Sequence, residues 1–273
     1  MQKDCKLILV EGLCGTGKST LAERLHHYLV QQGKSSVFYD EGAEGHPASL
    51  NWHALFREEE YNEFLERYPN LANDISLRAI KDGSNFLLPY RGVKEFNGQI
   101  ALNAELKSRE LCWAEMPIVA QSEFTYLIQR HWARFVELAS LTDTVYVLEA
   151  VFFQHQIHDL LKHYQASDSQ IEQHIQGIAH EIAAMNPILI YLTQPSVRDQ
   201  QVWISSIRSK PRFASEQNIK FMENRKRIEL WLLDTLHFAT HTIENVHLDW
   251  EDVFFKMVCA MKDQTEDALC SNG

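Results

Sequence analysis

The residues with the clearest chemical meaning are three glycines close together near the start of the sequence. Gly12, Gly15 and Gly17 lie in the segment EGLCGTGKST, residues 11–20, although all 273 residues include only 11 glycines. Glycine lets the backbone adopt positive φ and approach a ligand closely, at an entropic cost that this chain otherwise avoids. The spacing of these glycines, followed at once by Lys-Ser, is that of a phosphate-binding loop, also called Walker A.

Both flanks of this segment agree with the loop interpretation. The preceding run LILV, residues 7–10, reads as a short buried strand, and the residues from Thr20 onward have the apolar spacing of an amphipathic helix. Backbone N–H groups between the two would form an anion site at a helix N-terminus, where the helix dipole also favours negative charge. The alternative is a glycine-rich turn without a ligand. Because strand, loop, lysine, hydroxyl and helix all agree, we expect the triphosphate of ATP.

This interpretation gives individual residues a role. Lys18 would contact the β- and γ-phosphates, and the Ser19 hydroxyl would be a ligand of Mg²⁺. The expected nucleotide-binding residues are Gly12, Cys14, Gly15, Thr16, Gly17, Lys18, Ser19 and Thr20. The expected cofactors are therefore ATP and Mg²⁺.

Carboxylates follow two further predicted strands. Asp40 and Glu41 close the strand SVFYD, and Glu149 closes the strand TVYVL. Phosphoryl transfer to a hydroxyl needs a carboxylate that accepts the hydroxyl proton, and Mg²⁺ needs a carboxylate or its bound water opposite the loop hydroxyl. We expect Glu41 to be the general base, with Asp40 as the alternative, and Glu149 to be the acid on the Mg²⁺ side. Each could instead be an exposed acid at a strand end.

A basic segment lies at residues 195–227. It holds eight basic and three acidic residues in a chain whose 26 basic and 37 acidic residues give a net charge of −11. A cationic stretch after a strand of the sheet is expected to form a lid that clamps phosphates and excludes water. Within it, Arg208 and Arg212 flank a predicted turn and are the candidates for stabilising the transferred phosphoryl group. The alternative for any one arginine is a solvated basic helix.

Candidate residues for a second substrate lie in residues 42–143. Arg130 and Arg134 are four residues apart and so share a helix face, a spacing suited to an anionic acceptor or, equally, to surface ion pairs. His46 and Tyr90 are weaker candidates, in segments that also contain Trp52 and Arg91. The 13 histidines include no set with metal-ligand spacing, and no zinc site is expected.

Short apolar runs define the expected fold class. Predicted strands at residues 7–10, 36–40, 144–148 and 188–192, with a fifth near 240–246, alternate with helical patterns. Such alternation is typical of an α/β protein with a parallel sheet, whose ligands bind beyond the carboxyl ends of the strands. Residues 1–41 and 144–262 are the expected core. Residues 42–143 are expected to be a mostly helical insertion that binds the acceptor, and residues 263–273 a flexible tail.

Composition excludes several classes of protein. The net charge of −11 argues against nucleic acid or an anionic membrane as the main partner. Five scattered cysteines form neither a disulfide framework nor a zinc site, which fits a reducing cytoplasm. No leader-like segment begins the sequence, and no apolar run reaches 18 residues, so we expect a cytoplasmic protein that neither binds nor crosses a membrane.

The motifs together resemble the P-loop kinases that act on nucleosides and nucleoside monophosphates, a group that includes thymidylate kinase. The match is strongest in EGLCGTGKSTLAERL and weaker in YDEG, VLEAVFFQ, LIYLTQP and IRSKPR. This resemblance implies the three-layer P-loop NTPase fold with a five-stranded parallel sheet, Mg·ATP as donor, and transfer of the γ-phosphoryl group. It also implies that Glu41 activates an acceptor hydroxyl and that lid arginines hold the triphosphate.

The resemblance leaves the acceptor open. Members of this group commonly end the third core strand in an acid-arginine pair, whereas this chain has Glu149 and Ala150. Kinases that inactivate antibiotics share the core, so a nucleoside, a nucleotide and an antibiotic are all candidate acceptors. A homodimer is also left open. The competing class is a regulatory switch that binds and hydrolyses ATP without a small-molecule acceptor.

Overall fold

The computed structural model describes residues 5–113, 116–246 and 248–270, with side chains described as far as residue 262. The strands, in chain order, are β1 Leu7–Gly12, β2 Ser36–Tyr39, β3 His53–Arg57, β4 Ile80–Asp82, β5 Asn85–Pro89, β6 Val145–Glu149, β7 Ile188–Thr193 and β8 Ala239–Glu244. The helices are α1 Lys18–Gln31, α2 Glu58–Arg67, α3 Ala72–Arg78, α4 Ile100–Ser108, α5 Gln121–Ala139, α6 Gln154–Lys162, α7 Asp168–Ile182, α8 Val197–Ile207, α9 Glu216–Leu233 and α10 Trp250–Cys270. Short 3₁₀ turns lie at Lys94–Phe96, Ala183–Met185 and Pro211–Ala214.

Five strands form the main sheet, in the order β2-β6-β1-β7-β8, and every neighbouring pair is parallel. β1 lies at the centre and is buried along its whole length. Its register places Val10 beside Glu149 of β6 and Gly12 beside Leu192 of β7. The glycine segment that follows β1 therefore leaves the sheet at the same edge as the end of β6.

Helices cover both faces of this sheet because successive side chains of a strand point to opposite sides. Leu7 and Leu9 pack in one apolar cluster with α5, α7 and α9. Ile8 and Val10 pack in a second cluster with α1 and α10. The buried faces of α5 and α7 carry apolar side chains at helical spacing: Phe124, Ile128, Trp132, Phe135, Ile171, Ile175, Ile178 and Ile182. The predicted α/β, three-layer arrangement with five parallel strands is thus confirmed.

Residues 42–143 differ from the mostly helical segment that was expected. They contain a three-stranded antiparallel sheet of order β3-β5-β4 as well as helices. β4 and β5 form a hairpin in which Asp82 pairs with Asn85, and Gly83 at φ 61° occupies the first of the two loop positions. An Asp-Gly pair ahead of an apolar run is a hairpin signal, but strands of three to five residues give the alternating pattern little room.

The small sheet is joined to the rest of the molecule through apolar contacts. Its own cluster includes Phe56, Phe64 and Leu88 with residues of α2, α3 and α4. Leu55 and Leu87, on its opposite face, belong to the cluster beneath the main sheet. The apolar face of α5 lies in that cluster as well, so this helix packs with the core although it falls within the expected insertion.

The last helix extends into the segment expected to be a flexible tail. The backbone of residues 263–270 continues α10, and residues 271–273 lie outside the described residues. Within the part of the chain that the structure describes, no helix is both long and apolar enough to cross a membrane.

Candidate active site

The three glycines of the loop are required by the backbone and by close packing. Gly12, Gly15 and Gly17 have φ of 137°, 88° and 82°, values that residues with a Cβ rarely adopt. An added Cβ at Gly12 would collide with the carbonyl oxygen of Leu192, and at Gly15 with the side chain of Ile204. At Gly17 it would collide with the ring of Trp250. The loop is therefore shaped by three distant elements, β7, α8 and α10.

The loop ends at an uncapped helix N-terminus. Gly17 is the N-cap of α1, and neither a capping side chain nor an acidic residue lies in the first turn. The first backbone N–H groups of a helix have no intrahelical partner, and the positive end of the dipole lies there. This geometry suits an anion, which agrees with the predicted phosphate site.

Lys18 and Glu149 lie together at this point. The Lys18 ammonium donates to the carbonyl oxygen of Leu13 at 3.1 Å and lies 3.7 Å from a carboxylate oxygen of Glu149. Glu149 also accepts the backbone N–H of Glu41 at 3.2 Å. Burial raises the pKa of Glu149 above its ordinary value, although the charge of Lys18 opposes that shift. The strand ends therefore place a buried acid beside the loop, as expected.

A cavity of about 530 Å³ opens over the loop. Its lining includes six of the predicted nucleotide-binding residues, Cys14, Gly15, Gly17, Lys18, Ser19 and Thr20. Gly12 and Thr16 are buried below it, and the Thr16 hydroxyl donates to the Leu13 carbonyl oxygen at 2.9 Å. Apolar and aromatic side chains of Trp203, Ile204, Ile207 and Trp250 complete the walls. We call this the donor cavity.

The predicted lid is built from α8, the 3₁₀ turn Pro211–Ala214 and α9. Several of its basic side chains are already paired with other groups in the described part of the chain. Arg208 lines the donor cavity, whereas Arg212 is exposed on the turn and does not line it. Four other basic residues have structural partners within the described chain: Arg198 with Glu216, Arg225 with Glu229, Lys226 with the Gln194 carbonyl oxygen, and Arg227 with Asp168. The sequence of residues 195–227 therefore suggests more positive charge than a phosphate group in the donor cavity would contact.

A second cavity, of about 620 Å³, lies next to the first. Glu41 and Gln154 line both cavities, so the predicted base lies at their junction. The remaining lining residues are Gly42, Asn51, Trp52, Tyr90, Arg91, Lys107, Glu110, Cys112, Trp113 and His155. We call this the acceptor cavity. Asp40 lines neither cavity, and its carboxylate accepts the backbone N–H of Gly42 at 2.9 Å.

Two tryptophans of the acceptor cavity have unusual backbones. Trp52 and Trp113 have φ of 55° and 57°, in the left-handed region that bulky residues rarely occupy. The Arg91 guanidinium lies 3.7 Å from the centre of the Trp52 ring, and the Trp113 ring packs on His158 with centroids 4.3 Å apart. Such backbone strain concentrates at binding sites, where surrounding contacts maintain it.

The predicted acceptor residues separate into two groups. Tyr90 lines the acceptor cavity, and its hydroxyl donates to Glu110. His46 lies behind it, buried against a much smaller space. Arg130 and Arg134 do share a face of α5, but that face lies against the β4–β5 hairpin, where Arg130 pairs with Asp82 at 3.3 Å. The structure therefore does not bring these two arginines to either cavity.

Several lining residues had no role in the sequence interpretation. Gln154 and His155 follow the end of β6 by five and six residues, and a search of each strand-end loop for polar side chains would have found them. Asn51 and Trp113 come from the segments flanking the small sheet, and only the tertiary fold brings them to Glu41.

The residues present fit Mg·ATP. No group of three or more His, Cys, Asp or Glu side chains among the described residues could hold a metal without help. Mg²⁺ in phosphoryl-transfer sites is commonly held by one or two protein groups together with phosphate oxygens and water. Ser19 and Glu149 are the residues that would hold it here, because both line the donor cavity beside Lys18.

In this structure a glycine-rich loop joins the central strand of an all-parallel sheet to a helix, and the strand order of that sheet is β2-β6-β1-β7-β8. These features define the P-loop NTPase fold.

Two solved thymidylate kinases are similar to this chain over most of its length. That of Ehrlichia chaffeensis is 11% identical over 95% of this chain and 99% of its own, with a TM-score of 0.43. That of Candida albicans is 12% identical over 97% of this chain and 94% of its own, with a TM-score of 0.44.

No protein-family model matches the sequence, and no curated protein matches it significantly. The two solved structures belong to the group that the motifs resemble. At these scores the likeness assigns no role to any residue.

Proposed function

We propose that the protein is a kinase that transfers the γ-phosphoryl group of Mg·ATP to a hydroxyl group of a small molecule. The observation that carries this proposal is the position of Glu41 at the junction of the donor and acceptor cavities. A carboxylate placed between a phosphate-binding loop and a second cavity is where a general base for phosphoryl transfer belongs.

The charge state of Glu41 supports this role. Burial raises the pKa of Glu41, but the contact with His155 and the positive charges of Lys18 and Arg225 outweigh burial, so the pKa is below its ordinary value. The carboxylate is thus ionised at neutral pH and can accept a proton. On the donor side, the loop N–H groups, Lys18 and Arg208 would bind and orient the triphosphate. Bound Mg²⁺ would neutralise part of the negative charge of the triphosphate.

The lining of the acceptor cavity favours one kind of acceptor. A carboxylate at the transfer point repels a phosphate acceptor and suits a hydroxyl, which must lose a proton. Trp52 and Trp113 line this cavity, and a planar acceptor that packs against an aromatic ring gains about 0.5–1.5 kcal/mol beyond burial. Among the candidate acceptors, an uncharged ring-bearing molecule such as a nucleoside is therefore favoured over a nucleotide or a polycationic antibiotic.

The experiment is ADP production from Mg·ATP, measured without acceptor and with separate pools of nucleosides, nucleoside monophosphates and aminoglycosides. We expect stimulation by the nucleoside pool. Lys18→Ala serves as the blank and should lose about 100-fold or more, because it removes the cation facing the transferred group. Slow ADP release that no pool stimulates would contradict a kinase and favour the ATP-dependent switch.

A further inference from the structure

Among the described residues, side-chain partners surround only one carboxylate oxygen of Glu41, Oε2. The Gln154 side-chain amide donates to Oε2 of Glu41. The Nε2 atom of His155 lies 3.6 Å from the same oxygen, slightly beyond hydrogen-bond length. Among the described residues no hydrogen bond reaches Oε1. The two oxygens of this carboxylate are therefore not equivalent.

The contacts of His155 define which of its nitrogens carries the proton. Its Nδ1 lies 2.9 Å from the amide nitrogen of Asn51, and that amide nitrogen also lies 3.5 Å from the backbone carbonyl oxygen of Glu41. A carbonyl oxygen only accepts, so the Asn51 amide must present its NH₂ group to both partners. Nδ1 of His155 then accepts, and the ring proton lies on Nε2, facing Glu41.

His155 is well placed to stay neutral in this position. It is only 4% exposed, and burial lowers its pKa, as do the charges of Arg225 and Lys18, against the opposing effect of Glu41. The other titratable groups around it are His46 and His158, and the ring of Trp113 packs against it at 5.3 Å. A neutral ring with Nε2–H is a hydrogen-bond donor that adds no charge to the site.

We propose that Asn51 and His155 are positioning residues: Asn51 fixes the tautomer of His155, which with Gln154 holds Oε2 of Glu41 and leaves Oε1 to accept the hydroxyl proton. The proposal rests on the proposed kinase function. In the transfer step, the acceptor O–H bond breaks, its proton passes to Oε1, and the oxygen forms a bond to the γ-phosphorus as the bond to the ADP oxygen breaks. Hydrogen bonds in unliganded sites are often long and shorten in the reactive complex, which accommodates the 3.6 Å separation.

The first test is independent of turnover. Nitrogen-15 NMR of the imidazole rings in the full chain, without nucleotide, reports the tautomer of each histidine, and the signal of His155 is assigned by its loss in His155→Phe. We expect neutral His155 with the proton on Nε2 at pH 7, and loss of that preference in Asn51→Ala. A proton on Nδ1, or a charged ring at pH 7, would overturn the proposal whatever the enzyme does.

The second test uses the pH profile of acceptor-dependent ADP production. His155→Phe keeps the ring volume but removes the donor, so we expect kcat to fall about 10- to 100-fold and the acidic limb to move to higher pH. His155→Gln, which retains an N–H donor, should recover part of both. His158→Phe is the matched control, since it lies on the same helix, packs on Trp113 and lines neither cavity.

The outcomes separate the two proposals. An acidic limb in His155→Phe that coincides with that of the wild-type and His158→Phe proteins would overturn the positioning role while leaving the kinase intact. Absence of acceptor-dependent turnover in the wild-type protein would overturn the kinase, and the positioning role with it, even if the tautomer is as expected.

Discussion

Glu41 and Asp40 are adjacent in sequence yet lie in different surroundings. Glu41 lines both cavities and accepts a hydrogen bond from Gln154, whereas Asp40 lines neither cavity and accepts the backbone N–H of Gly42. We predict that Glu41→Gln binds Mg·ATP normally but loses acceptor-dependent turnover about 10²- to 10⁴-fold, because an amide cannot accept the hydroxyl proton.

Asp40→Asn is the matched control for this prediction and should keep turnover near the wild-type level. Nucleotide binding by calorimetry and ADP release by a coupled assay measure the two steps separately. If Asp40→Asn fails while Glu41→Gln turns over, the base is Asp40 and not Glu41.

At the level of single residues, the sequence predicted what local chemistry determines. The loop from Gly12 to Thr20 and the positions of Glu149 and Glu41 beside it follow from spacing and from the ends of strands. Arg130 was misplaced because helical spacing says which residues share a face, and does not say what that face meets. His155 went without a role because one histidine among 13 carries no signal until its partners are known.

The helix α8 is the element that connects the lid to the loop. The side-chain amide of Gln200 donates to the carbonyl oxygen of Cys14 at 2.8 Å, and Ile204 packs against Gly15. Gln200 is only 3% exposed. Since Trp203, Ile207 and Arg208 extend from the same helix into the donor cavity, its position sets the width of that cavity.

We predict that Gln200→Ala weakens Mg·ATP binding about 2- to 10-fold, which corresponds to the roughly 0.5–1.5 kcal/mol of one hydrogen bond. Val202→Ala, at an exposed position of the same helix, is the control and should bind as the wild-type protein does. The measurement is the dissociation constant by calorimetry. Equal affinities of the two variants would show that α8 is not held to the loop by this contact.

Strands with a clear sequence pattern of their own were predicted close to their observed positions. Strands that are defined by pairing with a segment far away in the sequence were not predicted. In the main sheet, β1, β6 and β7 are largely buried apolar runs, whereas the edge strands β2 and β8 are only partly buried. The predicted positions of all five differ from the observed ones by one or two residues. The small sheet was missed because β3 ends at Arg57 and its partner β5 begins only at Asn85, after two helices and β4. Nothing in either short strand indicates its partner.

Across the whole molecule, buried neutral histidines make folding sensitive to acid. Five buried histidines have a lowered pKa, and burial is the largest cause in each. The pKa is about 4 for His53 and about 3 for His46, His131, His158 and His174. As pH falls below about 6.5, the unfolded chain binds protons that the folded chain does not, so the free energy of unfolding decreases.

Two buried acids have the opposite effect between about pH 4 and pH 8, the range from their ordinary pKa values to the raised ones. Burial raises the pKa of Glu11 to about 8, and it raises the pKa of Asp159 to about 7. These acids stay protonated in the folded chain while the unfolded chain ionises, so stability is lost as pH rises toward 8. Below about 6.5 the five histidines outweigh the two acids. We therefore predict maximal stability near pH 6.5.

Urea unfolding between pH 5 and pH 9 measures this profile. Both ring nitrogens of His131 are buried without a hydrogen-bond partner among the described residues. His131→Leu should therefore flatten the acidic slope by about 1.4 kcal/mol per pH unit, the contribution of one proton. His27→Leu, a substitution at an exposed histidine, is the matched control. A slope in His131→Leu equal to that of wild type would contradict the prediction.

The packing around the three loop glycines also has a consequence for the order of events during synthesis. The loop is synthesised before Leu192, Ile204 and Trp250, on which its shape depends. Domains generally fold as units once their residues are available. A nascent chain that has not yet reached residue 250 therefore has the phosphate-binding motif without the side chains and backbone that shape it.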